Sequence, residues 1–157
     1  MAYHDDLLNQ ALTLVHDSSS TQASLRRAVS SAYYAVFHLL IAEAVSNWNN
    51  VTLRAALGRA YDHGLMRAAS DRILNGTVFP FTGEDPQVVA DLRMVALTFI
   101  QLQGNRHFAD YDLTKDLRPI DALNQVKSAE RVLTAWPSIR NAQIAQAYLV
   151  SLVVKSR

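Results

Sequence analysis

The stretch Leu25-Arg26-Arg27-Ala28-Val29-Ser30-Ser31-Ala32-Tyr33-Tyr34-Ala35-Val36-Phe37-His38-Leu39-Leu40 decides the fold. Ala28, Ala32, Ala35, Leu39 and Ala42 fall on one stripe at helical spacing, with Val29, Tyr33, Val36 and Leu40 beside it. Neither Gly nor Pro interrupts the pattern from about residue 20 to 45, so it predicts one long helix. The small residues on its first stripe let a second helix approach closely.

Outward from this helix the same period recurs. Leu7, Leu8, Ala11, Leu12 and Val15 predict a helix over about 3–16, ended by the polar run 16–21, whose side chains compete for the backbone. A third, less regular helix is expected from 52 to 74, interrupted by Gly58 and Gly64. Residues 75–86 hold two glycines and two prolines and read as the main loop, a plain connector or a binding lid. Asp85 followed by Pro86 starts a fourth helix, expected to 105. A polar and aromatic segment, 104–114, precedes a fifth helix from Ile120 to Trp136-Pro137 and a last one over about 138–154. No period of 2 persists anywhere, so the expected architecture is all-α, an up-and-down helical bundle of five to six helices forming a single domain over 1–157.

Composition narrows the function classes. The chain has 157 residues, long enough for a core without staples, and no cysteine, which excludes a disulfide scaffold, thiolate zinc and thiol catalysis. Its net charge of +1 provides no global field toward nucleic acid or lipid, so any polyanion site must be a local patch. No apolar run reaches the roughly 18 residues that span a bilayer, and the start Met-Ala-Tyr-His-Asp-Asp lacks the features of a signal peptide. The expectation is a cytoplasmic protein without membrane contact. His4, His16, His38, His63 and His107 form no short ligand spacing, and no phosphate-cradling glycine loop is present, so no metal and no cofactor is expected.

Two polar constellations stand out against this Ala- and Leu-rich background. Arg27, Ser31, Tyr34 and His38 are separated by 4, 3 and 4 residues and share one helix face. They could offer cationic, hydroxyl and imidazole groups to one ligand, or be boundary residues with their polar tips in water. The second constellation is Gln103-Gly104-Asn105-Arg106-His107-Phe108-Ala109-Asp110-Tyr111-Asp112, where Arg106 and Asp110 are placed to pair across one helical turn. Arg59, His63 and Arg67 fall at i, i+4 and i+8 on the third helix and could form a small basic strip for phosphates, or Arg67 could pair with Asp71. Trp48 and Trp136, at helix ends, read as core lids.

The run Arg26-Arg27-Ala28-Val29-Ser30-Ser31-Ala32-Tyr33-Tyr34-Ala35-Val36-Phe37-His38, followed some seventy residues later by Arg106-His107-Phe108-Ala109-Asp110-Tyr111, resembles the HEPN superfamily, particularly its short stand-alone bacterial members. The resemblance covers about residues 3–136. It implies a helical bundle acting as a homodimer, often paired with a small nucleotidyltransferase antitoxin, within toxin-antitoxin or defence modules whose members often cut RNA without metal. In the ribonuclease branch an Arg is followed after four to six residues by a His, and two copies meet across the dimer. By that match Arg106 is the phosphate ligand, and Arg106, His107 and Tyr111 are the candidate catalytic positions. Arg27, Tyr34, His38 and Asp110 are the candidate substrate-binding ones. Where the ribonuclease branch carries its histidine this chain has Tyr111, Asp112 and Leu113. The resemblance thus implies either an RNA-directed or nucleotide-binding component, with metal-independent cleavage as its catalytic form, or a non-catalytic module for dimerisation or partner docking.

Overall fold

The structure, a computed structural model, describes residues 1–76 and 84–155. Among these residues the chain is all-helical, with seven α-helices: α1 (Tyr3–His16), α2 (Gln22–Ser46), α3 (Arg54–Gly58), α4 (His63–Asn75), α5 (Pro86–Tyr111), α6 (Pro119–Ile139) and α7 (Gln143–Ser151). A single 3-10 turn, Val51–Leu53, precedes α3.

The count exceeds the expected five to six because the segment 52–74 is two helices. Asp62 stops the chain from running on as one: its extended backbone and its carboxylate, which accepts from the Gly64 and Leu65 amides at 2.9 and 3.1 Å, start α4 afresh. Arg59 therefore lies beyond α3 while His63 opens α4, and the basic strip Arg59, His63, Arg67 does not exist on one helix. At its other end α4 closes on Gly76 with φ of 65°, a left-handed conformation that glycine adopts without a Cβ clash. Residues 77–83 of the expected loop lie outside the described residues. Pro137, expected to end its helix, sits inside the last turn of α6, two residues before its end at Ile139, so the helix runs past it by less than one turn.

The residues form two compact units. The first comprises 1–38 and 101–134, the second 39–100 and 135–157. In the first, Thr21 caps α2 by accepting from the Ser24 amide at 3.2 Å, and Ala28, Ala32 and Ala35 are fully buried, as their stripe requires. Leu25, Val29, Ala109 and Ala122 form a core cluster to which Val15 and Leu117 add. In the second, Met66, Leu92, Phe99, Trp136 and Tyr148 are fully buried, and the Tyr148 hydroxyl lies 2.7 Å from Ser70 Oγ. Burial pushes the Tyr148 hydroxyl far above the ordinary phenol range, so it stays neutral. Trp136 matches its expected role in the core, whereas Trp48 is 51% exposed.

One expectation about hydropathy is corrected. Helix α2 is long and apolar enough, by length and composition, to cross a bilayer. However, 67% of that apolar window is buried in the fold, so its hydropathy is used by the core.

Candidate functional site

The two polar constellations meet in the first unit. Arg26 reaches residues 108–115, while Tyr34, two turns further along α2, reaches Arg106, one turn earlier on α5. These contacts progress in opposite directions, so the N-terminal part of α2 and the C-terminal part of α5 are antiparallel neighbours.

Arg26 closes the end of α5. Its Nη1 donates to the carbonyls of Phe108, Ala109 and Asp112 at 3.4, 3.1 and 2.6 Å, and its Nη2 donates to that of Lys115 at 2.6 Å. The last carbonyls of a helix lack intrahelical donors and carry partial negative charge, which a guanidinium satisfies in both respects. Its carbon also stands 5.6 Å from the Phe108 ring centroid. Gln22 fastens the next stretch, donating to the Leu117 carbonyl at 2.8 Å and accepting from its amide at 2.9 Å. Asp112 accepts from the Thr114 hydroxyl and amide at 2.5 and 2.9 Å, and those bonds hold its carboxyl below the usual range. The wall formed by residues 108–117 is thus fixed by side chains from α2 and by its own turn.

Arg106 is placed differently. Its guanidinium carbon lies 5.2 Å from the Tyr33 ring centroid and 5.8 Å from that of Tyr34, within cation–π range. Nη1 is 3.7 Å from Asp110 Oδ2, and the two side chains are 14% and 30% exposed. Its Nε is buried and has no hydrogen-bond partner among the described residues. A buried guanidinium donor is normally satisfied, so this nitrogen stands out as an exception.

An open groove of about 660 Å3 lies against these elements. Arg26, Arg27, Ser30 and Tyr34 from α2 line one side, and Asp110, Tyr111 and Leu113 line the other. Tyr111 and Leu113 are strongly exposed, at 68% and 78%. Arg106 is absent from the lining and lies against the ring of Tyr34, which does line the groove.

The α2 stripe divides. Arg27 and Tyr34 face the groove. Ser31 instead donates to Gln10 of α1 at 2.9 Å, and the His38 ring meets Tyr3 edge-on at 4.9 Å and Phe37 at 5.2 Å. His38 is therefore part of an aromatic cluster with α1. His107 is exposed and its ring packs 5.0 Å from Tyr111, one turn on, outside the groove lining. Tyr33 and Phe37 are core.

Sequence reasoning missed Arg26 as a structural clamp. The signal was its own stripe: Arg26, Ser30, Tyr33 and Phe37 repeat the 4-3-4 spacing one position earlier, and Tyr33 and Phe37 are buried. A cation leading a buried stripe needs acceptors.

No protein family, characterised protein or solved structure matches this chain. Chemically, the groove can bring a guanidinium (Arg27), three hydroxyls (Ser30, Tyr34, Tyr111) and a carboxylate (Asp110) to one ligand. Among the described residues no three His, Asp or Glu side chains come together to hold a metal ion.

Proposed function

We propose that this chain is a HEPN-like protein, an up-and-down bundle acting as a cytoplasmic homodimer, that binds RNA in the α2–α5 groove as part of a toxin-antitoxin or defence module. Its partner in that role is a small nucleotidyltransferase. The observation carrying the reading is the groove itself, with Arg27, Tyr34 and Tyr111 on its walls and Arg106 against Tyr34. Guanidinium groups take phosphate oxygens, and aromatic faces with hydroxyl tips take bases and sugars of a single strand. Asp110 is compatible with RNA because a carboxylate accepts from ribose hydroxyls.

Binding is favoured over cleavage as the primary activity. Arg106 is mostly covered, and Tyr111, at the position of the ribonuclease histidine, carries a phenol in place of the imidazole that moves the proton in that branch. Metal-independent cleavage is the catalytic form of the same proposal, with Arg106 on the scissile phosphate. The second reading, a non-catalytic dimerisation or docking module, is favoured by one observation, the exposure of Tyr111 and Leu113 beside the motif.

Fluorescence anisotropy of a labelled single-stranded RNA, at low and at high salt, tests the proposal. Saturable binding that weakens with salt supports it. Absence of RNA binding, with a dimer in sedimentation, overturns it in favour of the docking module. RNA fragments that accumulate in EDTA with the wild type and not with Arg106→Gln establish the catalytic form.

A further inference from the structure

A second, smaller cavity in the first unit has a different chemistry. It measures about 250 Å3 and is lined by Val29, Asn105, Phe108, Leu117, Asp121 and Gln125. Drug-sized sites run from about 300 to 1,000 Å3, so this one is sized for a ligand near a single heterocycle. Val29, Phe108 and Leu117 supply an apolar and aromatic wall. Asn105 of α5 and Gln125 of α6 supply two carboxamides, neither with a hydrogen-bond partner among the described residues. Each carboxamide carries two donors and a two-lone-pair acceptor, so both walls have hydrogen-bonding capacity to offer a planar polar edge.

The charge in the cavity is already balanced. Arg118 donates to Asp121 through Nε at 2.7 Å and Nη2 at 2.9 Å, and these bonds draw the Asp121 carboxyl below its usual range. The cavity therefore lacks a free cation for phosphate and suits an uncharged ligand. Phe108 borders it while the next residue, Ala109, borders the groove.

We propose that this cavity binds an unpaired nucleobase, with Asn105 and Gln125 reading its hydrogen-bonding edge and Phe108 packing on its ring. Carboxamides pair with base edges in this manner, and aromatic side chains take single bases by their faces. The base belongs either to a free nucleoside or to a strand whose phosphates lie in the groove. The strand form rests on the RNA-binding reading above, and the nucleoside form does not.

The test is a titration of the four ribonucleosides, which carry no phosphate, into 15N-labelled protein. The expected result is saturable movement of the Asn105 and Gln125 side-chain amide signals by at least one of them. Asn105→Ala and Gln125→Ala, both at partly exposed positions, should each weaken that binding by about tenfold, the loss of one edge contact, with unchanged melting temperature. A dinucleoside monophosphate that binds more tightly than its nucleosides, and loses that advantage in Arg27→Ala, assigns the base to a strand. Equal affinities assign it to a free nucleoside. The inference is overturned if no nucleoside moves these signals at millimolar concentration, or if both variants bind as the wild type does. RNA binding that persists in that case leaves the groove proposal standing, and loss of RNA binding with nucleoside binding intact removes the groove proposal alone.

Discussion

Two arginines on neighbouring helices occupy opposite chemical states. Arg26 spends its guanidinium on four carbonyls at the end of α5, and Arg106, within about two turns of that end, has two tyrosine rings, one carboxylate at 3.7 Å and an unpartnered Nε. A guanidinium engaged in this way stabilises a fold, because it satisfies helix-end carbonyls that have no intrahelical donor. An unsaturated one keeps donor capacity, and here the unpartnered Nε is buried off the groove lining, with the Tyr34 ring as its link to the groove. The contrast makes the first structural and, under the proposed function, leaves the second for recognition through Tyr34, and the following outcomes would sharpen or break it.

The largest effect is expected at Arg26. Arg26→Ala leaves the carbonyls at residues 108–115 without their donor and should lower stability by about 1.5–3 kcal/mol in denaturant titration, the range of hydrogen bonds to charged groups. A change below about 0.5 kcal/mol, typical of featureless surface sites, would remove the clamp from the account. Arg106→Gln gives up two cation–π contacts and one ion pair, and should cost only about 1 kcal/mol. The same variant should lose most RNA affinity, so its signature is a binding loss out of proportion to its stability loss. A stability loss as large as that of Arg26→Ala, with RNA binding intact, would merge the two classes.

Tyr111 is expected to matter less for the fold. Its ring is exposed and packs on His107, and its hydroxyl has no hydrogen bond among the described residues. Tyr111→Phe should therefore stay within about 0.5 kcal/mol of wild type while weakening RNA binding through loss of the hydroxyl. A clear drop in melting temperature would mean that the hydroxyl is part of the packing.

The smallest effect concerns pH. The Thr114 bonds lower the folded pKa of Asp112 below its unfolded value. Its contribution to stability is thus present above the ordinary carboxylate range and is lost as pH falls through the lowered folded value. Comparing acid unfolding of Asp112→Asn with that of wild type checks this, and the difference should shrink at the acid end. An unchanged difference would show that the turn does not depend on the charge.

How far the sequence could carry this reading follows from which forces are local. Helix α1 was legible over its full span and α2 nearly so, because apolar spacing without a breaker is a local signal. The split at Asp62 was also written locally, in a capping residue two positions before Gly64. It was outweighed by the apolar pattern on both sides. The polar residues after 105 predict that α5 ends there, yet the helix continues to Tyr111 with Arg106 and Asp110 paired along it. The division of the α2 stripe, Ser31 and His38 toward α1 and Arg27 and Tyr34 toward the groove, depends on where α1 lies. Spacing within one helix does not encode that. The Arg26 clamp joins residues more than eighty positions apart, and the second cavity needs α2, α5 and α6 together.

The contrast between the two arginines is tested most directly by the side-chain Nε–H resonances of an 15N-arginine-labelled sample titrated with single-stranded RNA. The account predicts a saturable shift of the Arg106 resonance with that of Arg26 unmoved. An Arg106 resonance that stays in place while RNA binds, or an Arg26 resonance that moves in its stead, would contradict it.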